Sequence, residues 1–191
     1  MSSVLSDRLA GALAIAIARA PRANLQYIAE SAGISKATLY RISPTREGII
    51  EMLLERATKH LQDALSNAVL HRPPYPDALM RLTTNVIQGR NFYMFWNAAH
   101  WVQMLDAKGD TPDVPSFYGE ALEDFFLKGQ RAGAFRIDMP AKWLTKAYDY
   151  MLFAAVESAE RGEIATVGMA PMVIKMFLEG AAEKTAERVN P

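Results

Sequence analysis

The stretch "IAESAGISKATLYRIS", residues 28–43, places a corner of small residues between two short helical patterns. Ala29 and Ala32 are small where two helices would cross closely, and Gly33 permits a sharp turn that Ile34 then fills. Two short helices joined by a turn that contains glycine form a helix-turn-helix pattern. The stretch therefore predicts either the corner of a helical bundle or a head that reads DNA.

Capping residues mark the helix ends around this corner. Asn24 is placed to cap a short helix that ends near Ser31, and Ser35 to cap the next one over residues 36–42. Thr45 is the expected cap of a long fourth helix. Upstream, apolar residues recur at helical spacing and predict an amphipathic first helix built on Leu9, Leu13, Ala16, Ile17 and Ala20.

The remaining sequence continues as helical patterns, and no segment sustains the alternation of a β-strand. After the fourth helix we expect further helices near residues 77–88, 92–105, 114–131, 141–160 and 171–188. The sequence thus predicts an all-α protein of about nine helices. A three-helix helix-turn-helix domain would lie at the N-terminal end, and a larger helical domain would follow it.

Composition narrows the class of protein. Half of the 191 residues are apolar and 22% are charged, as in an ordinary globular protein. The chain has no cysteine, which excludes disulfides and thiolate metal sites. No apolar run is long enough to cross a membrane. We expect a cytoplasmic protein with no membrane partner.

Charge is distributed unevenly although the net charge is zero. Residues 1–48 carry six Lys or Arg and three acidic residues, so their net charge is +3, and the rest of the chain balances it. A modest positive charge on the N-terminal segment is expected if this segment is the only part of the chain that contacts phosphate groups. A chance fluctuation of a few charges would look the same.

The helix over residues 36–42 is expected to have an inward and an outward face. Leu39 would point into the core, so Ala37 and Arg41, two positions away on either side, would point nearly opposite. Lys36 and Tyr40 flank them. Such a face can approach a groove closely at alanine and reach phosphates or base edges with its long side chains.

Thr38 stands at the third position of this helix, where a capping box would have Glu. A carboxylate there would repel a DNA phosphate, whereas a hydroxyl would not. We expect Thr38, the Ser35 cap and nearby backbone amides to share phosphate contacts with Lys36 and Tyr40. Arg41 is the candidate for reading a base.

The stretch "IAESAGISKATLYRISPTREGII", residues 28–50, resembles the N-terminal domain of TetR-type transcriptional repressors. Their usual pattern is "IAxxAGVSxxTLYxHFxSKExL", and the resemblance extends from about Leu9 to Leu54. The shared residues are Ile28, Ala29, Ala32, Gly33, Ser35, Thr38, Leu39, Tyr40 and Glu47. Ile34 replaces Val and Arg46 replaces Lys, while Ile42 and Ser43 stand in place of the usual His and Phe.

The resemblance implies a helix-turn-helix DNA-binding domain over residues 1–46 and an all-α effector-binding and dimerisation domain over residues 47–191. It implies a ligand-responsive repressor: a homodimer that holds a near-palindromic operator in double-stranded DNA and releases it when an effector binds. Arg46 joins the expected DNA contacts. Because Ile42 and Ser43 depart from the pattern, we expect one phosphate contact to be lost and the packing below the fourth helix to be rearranged.

The helix over residues 92–105 is apolar nearly all round, which indicates that it is buried or lines a cavity. Plain core is the ordinary place for any one aromatic residue, but aromatic and polar residues interleaved in this way also make up apolar pockets. With the resemblance, we expect an apolar or aromatic small-molecule effector. Its expected contacts are Tyr93, Trp96, Asn97, His100, Trp101 and Met104, with Phe125 and Tyr148 further along the chain.

Small and apolar residues on the last two helices would let two subunits approach closely. We expect a twofold contact of four helices. Its predicted residues are Leu144, Met151, Ala155, Val173, Phe177, Gly180 and Ala181.

Catalysis has little support in the sequence. His60, His71 and His100 lie far apart, and no His-x-x-x-His pair, glycine-rich phosphate loop or nucleophile elbow occurs. We expect no enzyme activity, no metal and no cofactor. The alternative is an all-α small-molecule-binding protein whose head no longer reads DNA, because Ile42 and Ser43 depart from the pattern.

Overall fold

The computed structural model describes residues 5–105 and 114–181, and the elements in those ranges are α-helices. There are nine in this part of the chain: α1 (Asp7–Arg19), α2 (Leu25–Ser31), α3 (Lys36–Ile42), α4 (Arg46–Ala68), α5 (Tyr75–Gln88), α6 (Arg90–Leu105), α7 (Phe117–Arg131), α8 (Ala141–Glu160) and α9 (Met169–Ala181). The prediction of an all-α fold is confirmed. Over the same residues, none of these helices is long and apolar enough to cross a membrane.

The predicted helix caps are confirmed around the first corner. Asn24 Oδ1 accepts a hydrogen bond from the Tyr27 N–H at 3.0 Å, and Thr45 Oγ1 accepts one from the Gly48 N–H at 3.1 Å. Gly33 has a φ of +72°, the left-handed conformation that glycine adopts without strain. These local interactions set where α2 and α4 begin and where the corner turns.

One helix begins later than predicted. We expected the seventh helix to start at residue 114, and α7 starts at Phe117. Val114 is buried, and its N–H donates to Gln103 Oε1 at 3.1 Å. This contact holds the segment before α7 as a loop.

The chain divides into two compact units. Unit 1 comprises Met1–Ala64 and Val86–Pro115, and so contains α1, α2, α3, most of α4 and, later in the chain, α6. Unit 2 comprises Leu65–Asn85 and Ser116–Pro191, and so contains most of α5 with α7, α8 and α9. Packing therefore groups α6 with the helix-turn-helix. The boundary after residue 46 is a division by function and stays a prediction.

In unit 1, α1 packs against α6 and α2, and α2 packs against α3. Small residues make the first of these contacts close: a Cβ added to Gly11 would lie 3.0 Å from Asn91 Nδ2. The core of the unit is completed by large buried side chains on these helices and α4, among them Leu13, Ile28, Leu39, Ile49, Leu53, Tyr93 and Phe95. The helix-turn-helix thus shares one core with α6.

His60 joins α4 to the corner between α5 and α6 within unit 1. Its Nε2 lies 3.1 Å from the Val86 carbonyl oxygen, and its ring covers Gly89 so closely that a Cβ there would collide with it. The carbonyl can only accept, so Nε2 carries the proton. Burial lowers the pKa of His60, which keeps its ring neutral at pH 7.

Unit 2 is built around an aromatic cluster. The rings of Tyr75, Phe125, Phe126, Phe135, Tyr148 and Phe177 pack edge to face or tilted, with neighbouring centroids 5.1–6.2 Å apart. Tyr148 Oη lies 2.8 Å from Thr83 Oγ1, whose own proton goes to the Leu79 carbonyl at 2.8 Å. Tyr148 is therefore the donor. Burial raises the pKa of Tyr148 well above its ordinary value, so the phenol stays neutral.

Two glycines of α7 provide a matched test of this packing. Gly129 is buried, and a Cβ there would collide with the Phe135 ring and come within 3.3 Å of Tyr75 Cδ1, whereas a Cβ on Gly119 would meet nothing within 4 Å. We expect Gly129→Ala to lower the free energy of unfolding by about 1–3 kcal/mol because it overpacks the cluster. Gly119→Ala should raise it by about 0.5–1 kcal/mol, since alanine is the better helix former.

Urea unfolding followed by circular dichroism measures both changes. A stabilising Gly129→Ala would contradict the packing described for the cluster.

Candidate nucleic-acid interface

The two faces of α3 differ as the sequence predicted. Leu39 is fully buried, whereas Lys36, Ala37, Tyr40 and Arg41 are exposed. Because the exposed side chains come from successive turns of one short helix, they form a single surface. We call Ser35, Lys36, Ala37, Thr38, Tyr40 and Arg41 the α3 face. Its composition suits contact with a polyanion.

Lys36 and Tyr40 are paired on the α3 face. The Lys36 Nζ lies 5.6 Å from the centroid of the Tyr40 ring, within the range of a cation–π contact. The ring therefore restricts the ammonium group without neutralising its charge. An ammonium group held in this way is ready to meet a phosphate.

Ser35 and Thr38 form a reciprocal cap at the start of α3. Ser35 Oγ accepts from the Thr38 N–H at 3.1 Å, and the two hydroxyl oxygens lie 2.9 Å apart. Each hydroxyl has one proton, and their mutual hydrogen bond uses one of the two. The other proton can be donated outward, which is compatible with the predicted phosphate contact.

Arg41 is exposed, and within the described ranges its guanidinium forms no hydrogen bond or ion pair. All of its N–H groups can therefore be offered to another molecule. A free guanidinium fork is the group that pairs with guanine O6 and N7.

Arg46 is placed differently from the rest of the predicted DNA contacts. It is half-buried, and it donates through Nε to the Ala23 carbonyl at 3.3 Å and through a terminal nitrogen to the Pro21 carbonyl. The side chain thus ties the loop between α1 and α2 to the start of α4. Arg46 therefore has a structural role at the loop that sequence spacing does not reveal, and its contact with DNA stays a prediction.

Ser43 closes the turn between α3 and α4 where the family pattern has Phe. Its hydroxyl donates to the Thr45 carbonyl at 3.1 Å and accepts from the Thr45 N–H at 3.4 Å. A Cβ on Gly48 would lie only 2.5 Å from Ser43 Oγ. At this position, the hydrogen bonds of Ser43 and its close approach to Gly48 thus replace the packed Phe ring of the family pattern.

The predicted effector contacts on α6 do not form one open surface. Tyr93, Trp96 and Asn97 are buried in unit 1, and Asn97 Nδ2 donates to the Tyr93 carbonyl at 3.1 Å. His100 and Trp101 are exposed. The side chain of Met104 lies outside the described residues.

A cavity of about 100 Å³ lies along another stripe of α6. Phe95, Ala98, Ala99 and Val102 line it from α6, at the regular i, i+3, i+4, i+7 spacing. Its other lining residues are Ile17 and Pro21, with Arg46, Glu47, Ile50 and Leu54 from α4. The expectation that this helix lines a cavity is met, but by different residues. Their regular spacing and the two small alanines were the signal that could have identified them.

The two effector candidates in unit 2 are core residues. Phe125 and Tyr148 are buried and pack against Phe126 at centroid distances of 5.3 and 6.2 Å. Nearby in the chain, Thr145 Oγ1 is buried without a hydrogen-bond partner in the described residues. A ligand that contacts Phe125 or Tyr148 would have to open this cluster.

Most of the predicted dimer contacts lie in the core of unit 2. Leu144, Ala155, Val173 and Phe177 are only 1–7% exposed, because α8 packs against α7 and α9 through them. Met151 is half-buried, Gly180 is exposed, and the side chain of Ala181 lies outside the described residues. Four of the seven side chains are thus already used by the core of unit 2.

On α8 and α9, each of the exposed apolar residues is one position before a predicted dimer contact in the sequence. Trp143, Tyr150, Met172 and Met176 are 45–65% exposed, and Ala154 is exposed with them. A shift of one residue rotates a side chain by about 100° around a helix. We call these five residues the outer stripe of α8 and α9.

Comparison with known proteins finds similarity along most of the chain. No protein-family model matches it. The chain is 36% identical over 176 residues to the HTH-type transcriptional regulator NfxB of Pseudomonas aeruginosa. The aligned region covers 92% of this chain and 94% of NfxB. The fold is similar to that of the TetR-like transcriptional regulator LfrR of Mycobacterium smegmatis, with a TM-score of 0.69 at 20% identity over 91% of this chain and 93% of LfrR. LfrR in complex with proflavine matches with a TM-score of 0.61 at 19% identity, over 91% and 94% of the two chains.

The different environments of Arg46 and Arg41 predict different effects on stability. Arg46→Met removes the donors to two backbone carbonyls, so we expect it to lower the free energy of unfolding by about 1–3 kcal/mol. Arg41→Met, the matched control on the exposed α3 face, should change it by less than about 0.5 kcal/mol. Urea unfolding of both variants measures these changes, and equal losses of unfolding free energy would contradict a structural role for Arg46.

Proposed function

The chain belongs to the TetR-type transcriptional regulators, and from that premise we propose that it binds a near-palindromic operator as a homodimer and releases it when a small molecule binds. The observation that carries the proposal is the α3 face, where Leu39 is buried and the basic and polar side chains are exposed. In the dimer, two copies of α3 would enter successive major grooves about 34–36 Å apart. Binding to chromosomal DNA would make this a cytoplasmic protein.

The residues of the α3 face divide by the contacts they can make. Arg41 reads a base, because its guanidinium can pair in bidentate fashion with guanine O6 and N7. Lys36 and Tyr40 hold phosphates, and the free proton of the Ser35 and Thr38 pair adds a neutral donor. Ala37 lets the helix approach the groove closely.

The outer stripe of α8 and α9 is the proposed dimer contact. These two helices pack together in unit 2 and expose Trp143, Tyr150, Met172 and Met176. Large apolar groups exposed together on adjacent helices mark an interaction surface. A twofold axis would join two such pairs into a four-helix contact.

The effector is proposed to be an apolar or aromatic small molecule. A structural relative, LfrR, is solved in complex with proflavine. To release DNA, the effector must bind more tightly to a dimer whose two heads are wrongly spaced for the operator. No chemical change of the effector is needed, so the protein is not proposed to be an enzyme.

The second candidate function is a small-molecule-binding protein that no longer reads DNA. The observation in its favour is the turn between α3 and α4, where Ile42 and Ser43 replace the His and Phe of the family pattern. Selection from a random pool of DNA duplexes separates the two candidates. Enrichment of a near-palindrome supports the regulator, and no enrichment supports the alternative.

Two variants of the α3 face test how DNA is read. Arg41→Ala should lose about 1–3 kcal/mol of discrimination between the selected duplex and a scrambled one, because it removes a base contact. Lys36→Ala should weaken binding to both duplexes alike and reduce the salt slope by about one, because it removes a phosphate contact. Fluorescence anisotropy at several salt concentrations measures both effects. Equal losses on the two duplexes for Arg41→Ala would reassign Arg41 to phosphate.

A charge placed on the outer stripe tests the dimer. Met176→Glu should yield a monomer at micromolar concentration, because a carboxylate would be buried without a partner at the twofold contact. The matched control is Leu127→Glu, which changes an exposed leucine of α7 outside the stripe and should leave the dimer intact. Light scattering gives both masses. A monomeric wild-type protein, or a dimeric Met176→Glu, would contradict this interface.

A further inference from the structure

The cavity between α1, α4 and α6 has no role in the functions assigned so far. It lies wholly within unit 1, beside the helix-turn-helix, and its volume is about 100 Å³. The inner wall is apolar and comes from Ile17, Ile50, Leu54, Phe95 and Val102. Protein interiors hold few voids larger than a water molecule. An apolar hollow of this size therefore offers a place for part of an apolar ligand.

The size of the hollow limits the ligand. A dry apolar cavity of about 150 Å³ accommodates benzene, so this one would enclose most of a single ring. The rest of the molecule would extend toward the rim, where Glu47 is exposed. A single aromatic ring or a short branched alkyl group fits, and a fused ring system does not.

The rim carries two opposite charges that differ in how they are engaged. The guanidinium of Arg46 donates to the carbonyls of Pro21 and Ala23. The carboxylate of Glu47 has no hydrogen bond or ion pair with any residue in the described ranges. Glu47 lies in the first turn of α4. The rim thus has no net charge, but of its two charged groups only the Glu47 carboxylate keeps all of its hydrogen-bonding capacity for a ligand.

We propose that this cavity binds a small organic cation, with its single ring or branched alkyl group in the hollow and its ammonium group against Glu47. An ammonium group and a carboxylate form a charge-assisted hydrogen bond, which is stronger than a neutral one. The ring of such a ligand matches the apolar wall of the cavity, and its cation matches the carboxylate at the rim.

The regulatory consequence of this site rests on the proposed function. The cavity lies between α1 and the first turn of α4, which Arg46 also ties to the loop after α1, and Ser43 and Thr45 link that turn directly to α3. A ligand that wedges α1 and α4 apart shifts α3 with them. It thereby changes the position of the α3 face relative to the groove and weakens operator binding.

Three probes with the same ring test the site in the absence of DNA. At pH 7 benzylamine is a cation, benzyl alcohol is neutral and benzoate is an anion. Methyl NMR signals of Ile17, Ile50, Leu54 and Val102 report occupancy of the hollow. We expect benzylamine to shift these signals, with a Kd lower than that of benzoate by about ten-fold or more.

Variants locate the two parts of the site. Ala99→Leu fills the hollow and should abolish the shifts for all three probes. Glu47→Gln should remove the preference for benzylamine over benzyl alcohol while the ring still binds. Its matched control is Glu51→Gln, which changes an exposed glutamate one turn further along α4 that does not line the cavity and should keep the preference. Glu47 is exposed, so this comparison does not depend on whether Ala99→Leu folds.

The outcomes separate this proposal from the proposed function. Absence of shifts at saturating probe, or benzoate binding as well as benzylamine, overturns the cation site even when the selected duplex binds normally. Failure to select any duplex overturns operator binding even when benzylamine occupies the cavity. Weaker operator binding in benzylamine for the wild type, but not for Glu47→Gln, supports the regulatory role, whereas equal weakening in both contradicts it.

Discussion

The close packing of α1 against α6 is the contact on which the rest of unit 1 depends. It is possible because α1 is small where α6 crosses it: a Cβ on Gly11 would come within 3.0 Å of Asn91 Nδ2. Two short helices and a turn bury too little apolar surface for a stable core of their own. By sharing a core with α6, the helix-turn-helix gains that surface, and a helix from the middle of the chain packs with the DNA-binding helices.

The position of α4 is set by contacts at two places along its length. At its start, Arg46 binds the carbonyls of Pro21 and Ala23, and Ser43 closes the turn from α3. Further along, His60 binds the Val86 carbonyl with a ring that burial keeps neutral. The cavity lies beside the first of these places, so an occupant would act on the end of α4 that is joined to α3. The first turn of α4 and the turn closed by Ser43 therefore connect the cavity to the α3 face.

Helices that are apolar on more than one side explain where the residues chosen from the sequence differ from those that line the cavity or stay exposed. On α6 the interleaved aromatic and polar residues suggested a pocket at Trp96 and His100, and the cavity lies along Ala98 and Ala99 instead. On α8 and α9 the chosen stripe was one residue from the exposed one, as with Phe177 and Met176. Periodicity identifies an apolar stripe, but it does not say which of two stripes the chain buries against itself and which remains for a partner.

The sequence by itself determined the helical class, the corner at Gly33, the caps and the inward position of Leu39. These features depend on hydrogen bonds between residues three or four positions apart and on the helical period, both of which can be read from neighbouring letters. Only the tertiary structure decided that Arg46 binds a loop more than twenty residues away, that α6 belongs with the head, and which faces of α8 and α9 stay exposed. Each of these depends on which distant part of the chain packs against a side chain, and local propensity carries no information about that choice.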